Sequence, residues 1–111
     1  MWKDAFQEGK ERVLATELEA VPNANIVISL GLVEGKLLIA DCQMQTTIRN
    51  LKKNPKVCVI SDYLRLSGNA QVFDSGEYFD LCVKKTPDYT VRHAILIHIE
   101  HIFDLDKVQS V

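Results

Sequence analysis

The sequence predicts an α+β fold built on a small barrel, and three observations carry that reading. Six runs of alternating or continuous apolar residues read as strands. Two short stretches with helical spacing fall between the third and fourth runs and between the fifth and sixth. The remaining connections are mostly short.

The elements follow in order. The stretch 1–9 has room for one helical turn before Gly9. Arg12 to Leu18 reads as the first strand, and Pro22-Asn23-Ala24-Asn25 is turn material. Ile26 to Val33 is the second strand. It carries Ile26, Ile28, Leu30 and Leu32 on one face and Val27, Ser29, Gly31 and Val33 on the other. Glu34-Gly35-Lys36 is a short hairpin connection to the third strand, Leu37 to Asp41. A helix near Thr46 to Asn54 aligns Met44, Ile48 and Leu51. Lys52 and Lys53 fall in its last turn, where cations suit the helix dipole, and Pro55 marks its end.

Val57 to Ile60 is a nearly all-apolar fourth strand, and Ser61-Asp62-Tyr63 turns into the fifth, Leu64 to Phe73. Gly68 and Ala70 keep the inward face of that strand small, as a tight barrel bend requires. Asp74-Ser75-Gly76-Glu77 resembles a capping box with Asp74 as the cap. It opens a helix from Glu77 to Lys85 with Tyr78, Leu81 and Cys82 on one face. The last strand, Ala94 to Leu105, sets Ile95, Ile97, Ile99, Phe103 and Leu105 on its odd face, interrupted by His101.

Composition narrows the function classes. A chain of 111 residues, 47% apolar and 25% charged, reads as one ordinary globular domain. Its net charge of −2 argues against binding nucleic acid through overall charge. No apolar run approaches the ~20 residues that span a bilayer, and the stretch 1–8 lacks the apolar segment of a signal peptide. A cytoplasmic location is the expectation. Cys42, Cys58 and Cys82 are widely spaced and read as reduced thiols, with Cys58 in a buried strand. Val27, Val33, Leu38 and Val59 lie opposite core-directed neighbours, which predicts a covering partner and hence a homodimer.

The chemistry concentrates in Gln45-Thr46-Thr47-Ile48-Arg49-Asn50-Leu51-Lys52-Lys53-Asn54-Pro55-Lys56-Val57. A helix N-terminus gathers unpaired N–H groups and is a ready anion site, to which Thr46 and Thr47 add hydroxyls. The plainer reading makes one of these threonines an N-cap. Arg49, Lys52, Lys53 and Lys56 read as a solvated helix end. His98, Glu100 and His101 do not make a metal site, because His98 and Glu100 share a strand face and His101 points the other way. No nucleophile-and-base set and no Gly-rich phosphate loop is present, so any chemistry would be carried by a cofactor.

Arg49-Asn50-Leu51-Lys52-Lys53-Asn54-Pro55-Lys56-Val57, the strand Leu64-Arg65-Leu66-Ser67-Gly68-Asn69-Ala70-Gln71-Val72 and the ending 94–106 occur in an order that resembles the FMN-binding split-barrel family related to pyridoxamine 5′-phosphate oxidase. The resemblance spans residues 12–106. It implies a six-stranded antiparallel split β-barrel with two or three short helices, formed as one domain over residues 1–111. It also implies a homodimer with FMN at the subunit interface. The flavin ring would lie along Ile26, Val27, Ile28 and Ser29. Ile39, Ala40 and Asp41 would pass near the ring and ribityl chain, and Gln45, Thr46 and Thr47 would hold the phosphate, with Arg49 the nearest cation.

Two departures from the family stand out. Many members carry Lys or Arg at or beside Thr46 and Thr47, and this chain has neither. The oxidase itself carries basic residues for its substrate's phosphate near its C-terminus, where 106–111 has only Lys107. True pyridoxamine phosphate oxidase activity is therefore not expected. The resemblance implies a small flavin-dependent oxidoreductase, with a reduced nicotinamide as candidate electron donor. The alternatives are a non-catalytic flavin or electron carrier, and a split barrel that binds haem or a deazaflavin.

Overall fold

A computed structural model describes residues 2–9 and 11–111. A 3-10 turn, Trp2–Phe6, precedes β1 (Glu11–Leu18), β2 (Val21–Val33), β3 (Lys36–Asp41), α1 (Gln45–Lys53), β4 (Lys56–Ser61), β5 (Leu64–Phe73), α2 (Glu77–Lys85), β6 (His93–Asp104) and β7 (Gln109–Ser110). The strands run antiparallel in the order β3-β2-β1-β4-β5-β6, and β3 also pairs with β6, which closes a six-stranded barrel. β7 adds a short seventh strand to β6. The sequence gives no sign of it, because two exposed polar residues carry no periodicity.

Leu14, Val27, Leu37, Ile39, Val59, Leu66, Ile95 and Ile97 fill the barrel, joined by Phe6 and by Ile48 and Leu51 of α1. Outside it, α2 lays Cys82 against Leu30, Leu38, Ala94 and Leu96. β3 is therefore covered on both faces, and Leu37, Leu38 and Ile39 are all fully buried. Leu38 needs no partner subunit, because α2 already covers it. Val27 and Val59 also reverse expectation, since both face the barrel interior. The residues left outside are Ile26 at 73% exposure and Ile28 at 55%.

Three local readings are corrected by hydrogen-bond geometry. The β1–β2 turn lies at Glu19-Ala20 rather than at 22–25, with left-handed φ of 53° and 65°, as a two-residue hairpin requires. Pro22 then sits inside β2, opposite Glu17. It is tolerated there because β2 has a strand neighbour on one side only at this point. Gly76, at φ 96°, is the residue that precedes α2, so Asp74 stands too far upstream to cap it.

Two register breaks explain the remaining differences. Between Ser29 and Leu32, with Gly31 at φ 94°, β2 inserts an extra residue. Ser29 is buried, Leu30 packs outward against the α2 cluster, and Leu32 turns back toward the barrel core. Between Ser67 and Gly68, β6 inserts Glu100. The odd face of β6 ends there: His101 pairs with Ser67 and is exposed, and Phe103 turns outward, where the Arg65 guanidinium lies 5.0 Å from its ring centroid. Gly68 permits this break, since a Cβ there would lie 2.1 Å from the His98 carbonyl oxygen.

Candidate cofactor groove

The barrel is split along one seam. β2 and β3 pair from Val33↔Lys36 to Ser29↔Ile39 and no further. Beyond that rung Ala40 and Asp41 stay with β6, while β2 runs on beside β1 to Val21. The strands part, and the edge of β2 from Ile28 back toward Ile26 faces a groove of about 510 Å³. Its walls are Ile26, Val27, Ile28 and Leu30 on one side and Ala40, Cys42, Gln43 and Met44 on another. The segment Lys85 to Tyr89, where α2 ends, forms the rim. Lys85 is fixed there by an ion pair with Glu8.

Asp41 shapes the groove without lining it. It is 1% exposed. One carboxylate oxygen accepts the Met44 N–H at 2.6 Å, and the other accepts Nδ1–H of His93 at 2.7 Å. The Arg92 N–H donates to the Asp41 carbonyl at 2.8 Å. Asp41 thus ties the segment 42–44 to β6 and fixes where α1 begins. Ser29 is equally committed: its hydroxyl donates to the Phe6 carbonyl at 2.9 Å and its own carbonyl accepts the Gly9 N–H at 2.7 Å.

At the start of α1, Met44 occupies the cap position with no side-chain cap hydrogen bond. Neither threonine serves as N-cap. The first-turn N–H groups therefore lack side-chain acceptors and suit an anion. Gln45, Thr46 and Arg49 are exposed there. Thr47 instead points inward at 0% exposure. Its hydroxyl donates to Asn25 Oδ1 and accepts from Asn23 Nδ2 at 3.1 Å. Thr16 joins the same cluster, accepting from Asn50 Nδ2 at 3.1 Å and from Asn23 Nδ2 at 3.3 Å. This neutral polar cluster fastens α1 to β1 and β2. Sequence reasoning missed Asn23 and Asn25, whose spacing of two placed them on one strand face but whose residue type read as a turn.

The structure thus sorts the expected site residues. Ile26, Val27, Ile28 and Ala40 line the groove. Ser29, Ile39, Asp41 and Thr47 are buried behind it. Gln45, Thr46 and Arg49 stand at the exposed start of α1. Thr46 and Arg49 also line a second cleft of about 410 Å³, together with Asn23, Asn50 and Lys53 of α1 and the β1–β2 turn.

The thiols are not activated. Burial, reinforced by Asp41, pushes the Cys42 thiol up. Burial likewise raises Cys82 from 9.0 to about 11. Cys58 is half-buried on the outer barrel face rather than in the core. His98 bonds Gln71 at 2.6 Å and Glu100 accepts from Asn69 at 2.6 Å. No three metal-ligating side chains gather among the described residues, and none of their helices is long and apolar enough to cross a membrane.

The outer face beside the groove is apolar. Val13 pairs with Ile26 on one side and Ile60 on the other. With Ile28, these exposed side chains make a contiguous stripe across β2, β1 and β4.

No protein-family model matches this chain. An uncharacterized protein of Methanocaldococcus jannaschii is 29% identical over 99 residues, an alignment that covers 78% of this chain and 66% of that protein. Solved structures share the architecture at lower identity. HupZ of Group A Streptococcus superposes with TM-score 0.84 at 19% identity, covering 98% of this chain and 94% of its own. A candidate pyridoxamine 5′-phosphate oxidase of Listeria innocua does so at 0.70 and 20%, covering 86% and 88%. An FMN-binding protein of Syntrophomonas wolfei gives 0.68 and 18%, covering 90% and 78%. An F420 reductase gives 0.71 and 15%, covering 92% and 95%. The chain has the split-barrel fold of the pyridoxamine 5′-phosphate oxidase-like proteins.

Proposed function

We propose that residues 1–111 act as one flavin-binding domain, paired as a homodimer, which holds FMN in the groove between β2 and β3 and serves as a small oxidoreductase. The carrying observation is the seam itself: an unpaired strand edge at Ile26–Ile28, an apolar wall, and an uncapped helix start at Gln45 lie side by side. A flat heteroaromatic ring with polar edges suits an unpaired strand edge, because backbone N–H and C=O groups there remain available for hydrogen bonds. A phosphate suits the start of α1, with Arg49 as the near cation. Ile39 and Asp41 act from behind by holding β3 and the segment 42–44, and Thr47 acts through Asn25.

When bound, a flavin would supply reversible two-electron chemistry with a donor such as a reduced nicotinamide. The chain's residues would position it and exclude water. The homodimer reading rests on the stripe Val13, Ile26, Ile28 and Ile60, which borders the groove. A second copy laid on this stripe would cover it and close the groove. Stable interfaces of this kind bury roughly 1,200–2,000 Å² or more in total.

A second reading has its own support. The first turn of α1 lacks the Lys or Arg that many family members carry, and an F420 reductase shares the fold. A deazaflavin in place of FMN fits the same groove.

The double variant Ile26→Asp/Ile28→Asp tests groove and dimer together. Both side chains are exposed, so the protomer should fold. Light scattering should move to a 12.6 kDa monomer, and calorimetric titration should show flavin affinity reduced by at least about tenfold. A dimer with unchanged affinity would overturn the proposal.

A further inference from the structure

Arg12 stands on the inner face of β1, at the end of the strand away from the Thr16 cluster. It is 3% exposed. Its Nη1 donates to the Glu11 carbonyl at 2.6 Å, while Nε and Nη2 are buried without a hydrogen-bond partner. The Phe6 ring centroid lies 5.9 Å from the guanidinium carbon, at the outer limit of about 6 Å for a cation–π contact. Burial pushes the guanidinium pKa down, and the charge of Asp62 opposes that shift without cancelling it. A buried cation so incompletely compensated costs free energy in the folded state.

What shuts Arg12 away from water is the segment Trp2 to Gly9. Phe6 is fully buried in the barrel core. The Ala5 carbonyl accepts the Ser61 hydroxyl at 2.5 Å, and the Phe6 carbonyl accepts the Ser29 hydroxyl at 2.9 Å. The Gly9 N–H donates to the Ser29 carbonyl at 2.7 Å. Glu8 lies over Gly31, its Cβ 3.7 Å from where a Cβ on that glycine would stand, and pairs with Lys85. Three of these attachments fall beside the groove. Ser29↔Ile39 is the last rung before β2 and β3 part, Gly31 lies in the register break next to it, and Lys85 is on the rim.

We infer that segment 2–9 is a latch: docked, it holds the β2 wall and the rim of the groove, and the incompletely paired Arg12 beneath it keeps docking reversible. The coupling to a ligand rests on the groove proposed above as the flavin site. Docking gains the hydrogen bonds and the burial of Phe6 but desolvates Arg12. Lifting the segment returns the guanidinium to water and releases Ser29 and Lys85. The two states therefore differ in contacts at the groove as well as at Arg12, which links them thermodynamically. A ligand in the groove favours the docked state, and by reciprocity docking tightens its hold.

Amide hydrogen exchange followed by NMR tests this. The Gly9 N–H reports the latch, and the Ala70 N–H, bonded to the Pro55 carbonyl at 2.8 Å, reports the barrel. In the flavin-free protein Gly9 should exchange faster than Ala70, the sign of local opening. Arg12→Met removes the charge, fits an apolar site, and should slow Gly9 exchange at least about tenfold. Arg12→Lys retains a charge and should leave Gly9 near the wild-type rate. Saturating FMN should slow Gly9 in the wild type at least about fivefold, the low end of common coupling between sites. Gly9 as slow as Ala70, or no slower in Arg12→Met than in wild type, would overturn the latch. So would equal slowing by Met and Lys. FMN that binds in a calorimetric titration yet leaves Gly9 exchange unchanged would overturn the coupling and leave the groove standing. Absence of FMN binding would overturn the groove and the coupling together.

Discussion

The barrel breaks register twice, and the two breaks have opposite outcomes. In β5–β6, pairing resumes after Gly68 and continues to Leu64↔Asp104, so the wall stays closed. In β2–β3, pairing stops one rung past the break, at Ser29↔Ile39, and the strands part around a groove. The difference lies in what stands on the far side. Past Gly68, β6 meets an uninterrupted β5, and a glycine without Cβ lets the two backbones approach. Past Ser29, β3 is pulled toward β6 by the Asp41–His93 rung, while β2 is held to β1 by a ladder running to Val21. An inserted residue only re-aims side chains. It opens a site when the two strands are each secured to a different neighbour.

That contrast yields predictions of decreasing size. Gly68→Val should be the most damaging single change, because its Cβ would overlap the His98 carbonyl at 2.1 Å. Since both atoms belong to paired backbones that cannot swing aside, the cost should be about 3 kcal/mol or more, read from urea unfolding. An unchanged midpoint would mean the closed break is looser than described.

At the open break, the last rung is backed by Cys82, whose Sγ lies 3.9 Å from the Ile39 carbonyl. Its thiol pKa is raised by burial from 9.0 to about 11. The folded state therefore holds the proton more tightly than the unfolded chain. Stability from this group is full below pH 9.0 and is lost as pH rises toward about 11, at up to about 1.4 kcal/mol per pH unit. Melts of wild type and Cys82→Ala from pH 8 to 11 should converge as pH rises. Curves that stay parallel would place this thiol in contact with water.

Thr47→Val removes the hydroxyl that holds α1 to Asn23 and Asn25 while keeping the shape. Leaving these half-buried amides without that partner should cost about 1–2 kcal/mol. Hydrogen exchange should rise first in α1 rather than in β5 or β6. Gly31→Ala should be the mildest. Its Cβ meets nothing closer than 3.7 Å, so the cost is only that of a left-handed φ of 94°, roughly 1–2 kcal/mol. If it rivals Gly68→Val, the two breaks are equally constrained and the contrast fails.

Much of the fold could be read locally. The β5 bounds and the α2 bounds follow from clean alternation and helical spacing. The site was less legible. The segment Gln45 to Asn54 announced a helix start suited to an anion, but nothing local showed that Thr47 would turn inward or that Asn23 and Asn25 would meet it. Those residues lie 24 and 22 positions from Thr47, and only barrel closure brings them together.

The sequence by itself determined which residues prefer strands, helices and turns, because period and turn chemistry act over a few neighbours. Only the tertiary structure decided which face of β2 is inside. An apolar strand such as Ile26 to Val33 fits either way in isolation, and a single inserted residue reverses its sidedness. Burial was settled by the packing of α2 on β3, by the breaks at Gly31 and Gly68, and by the competing pairings that part β2 from β3. These are long-range contacts whose energies no local window of sequence contains.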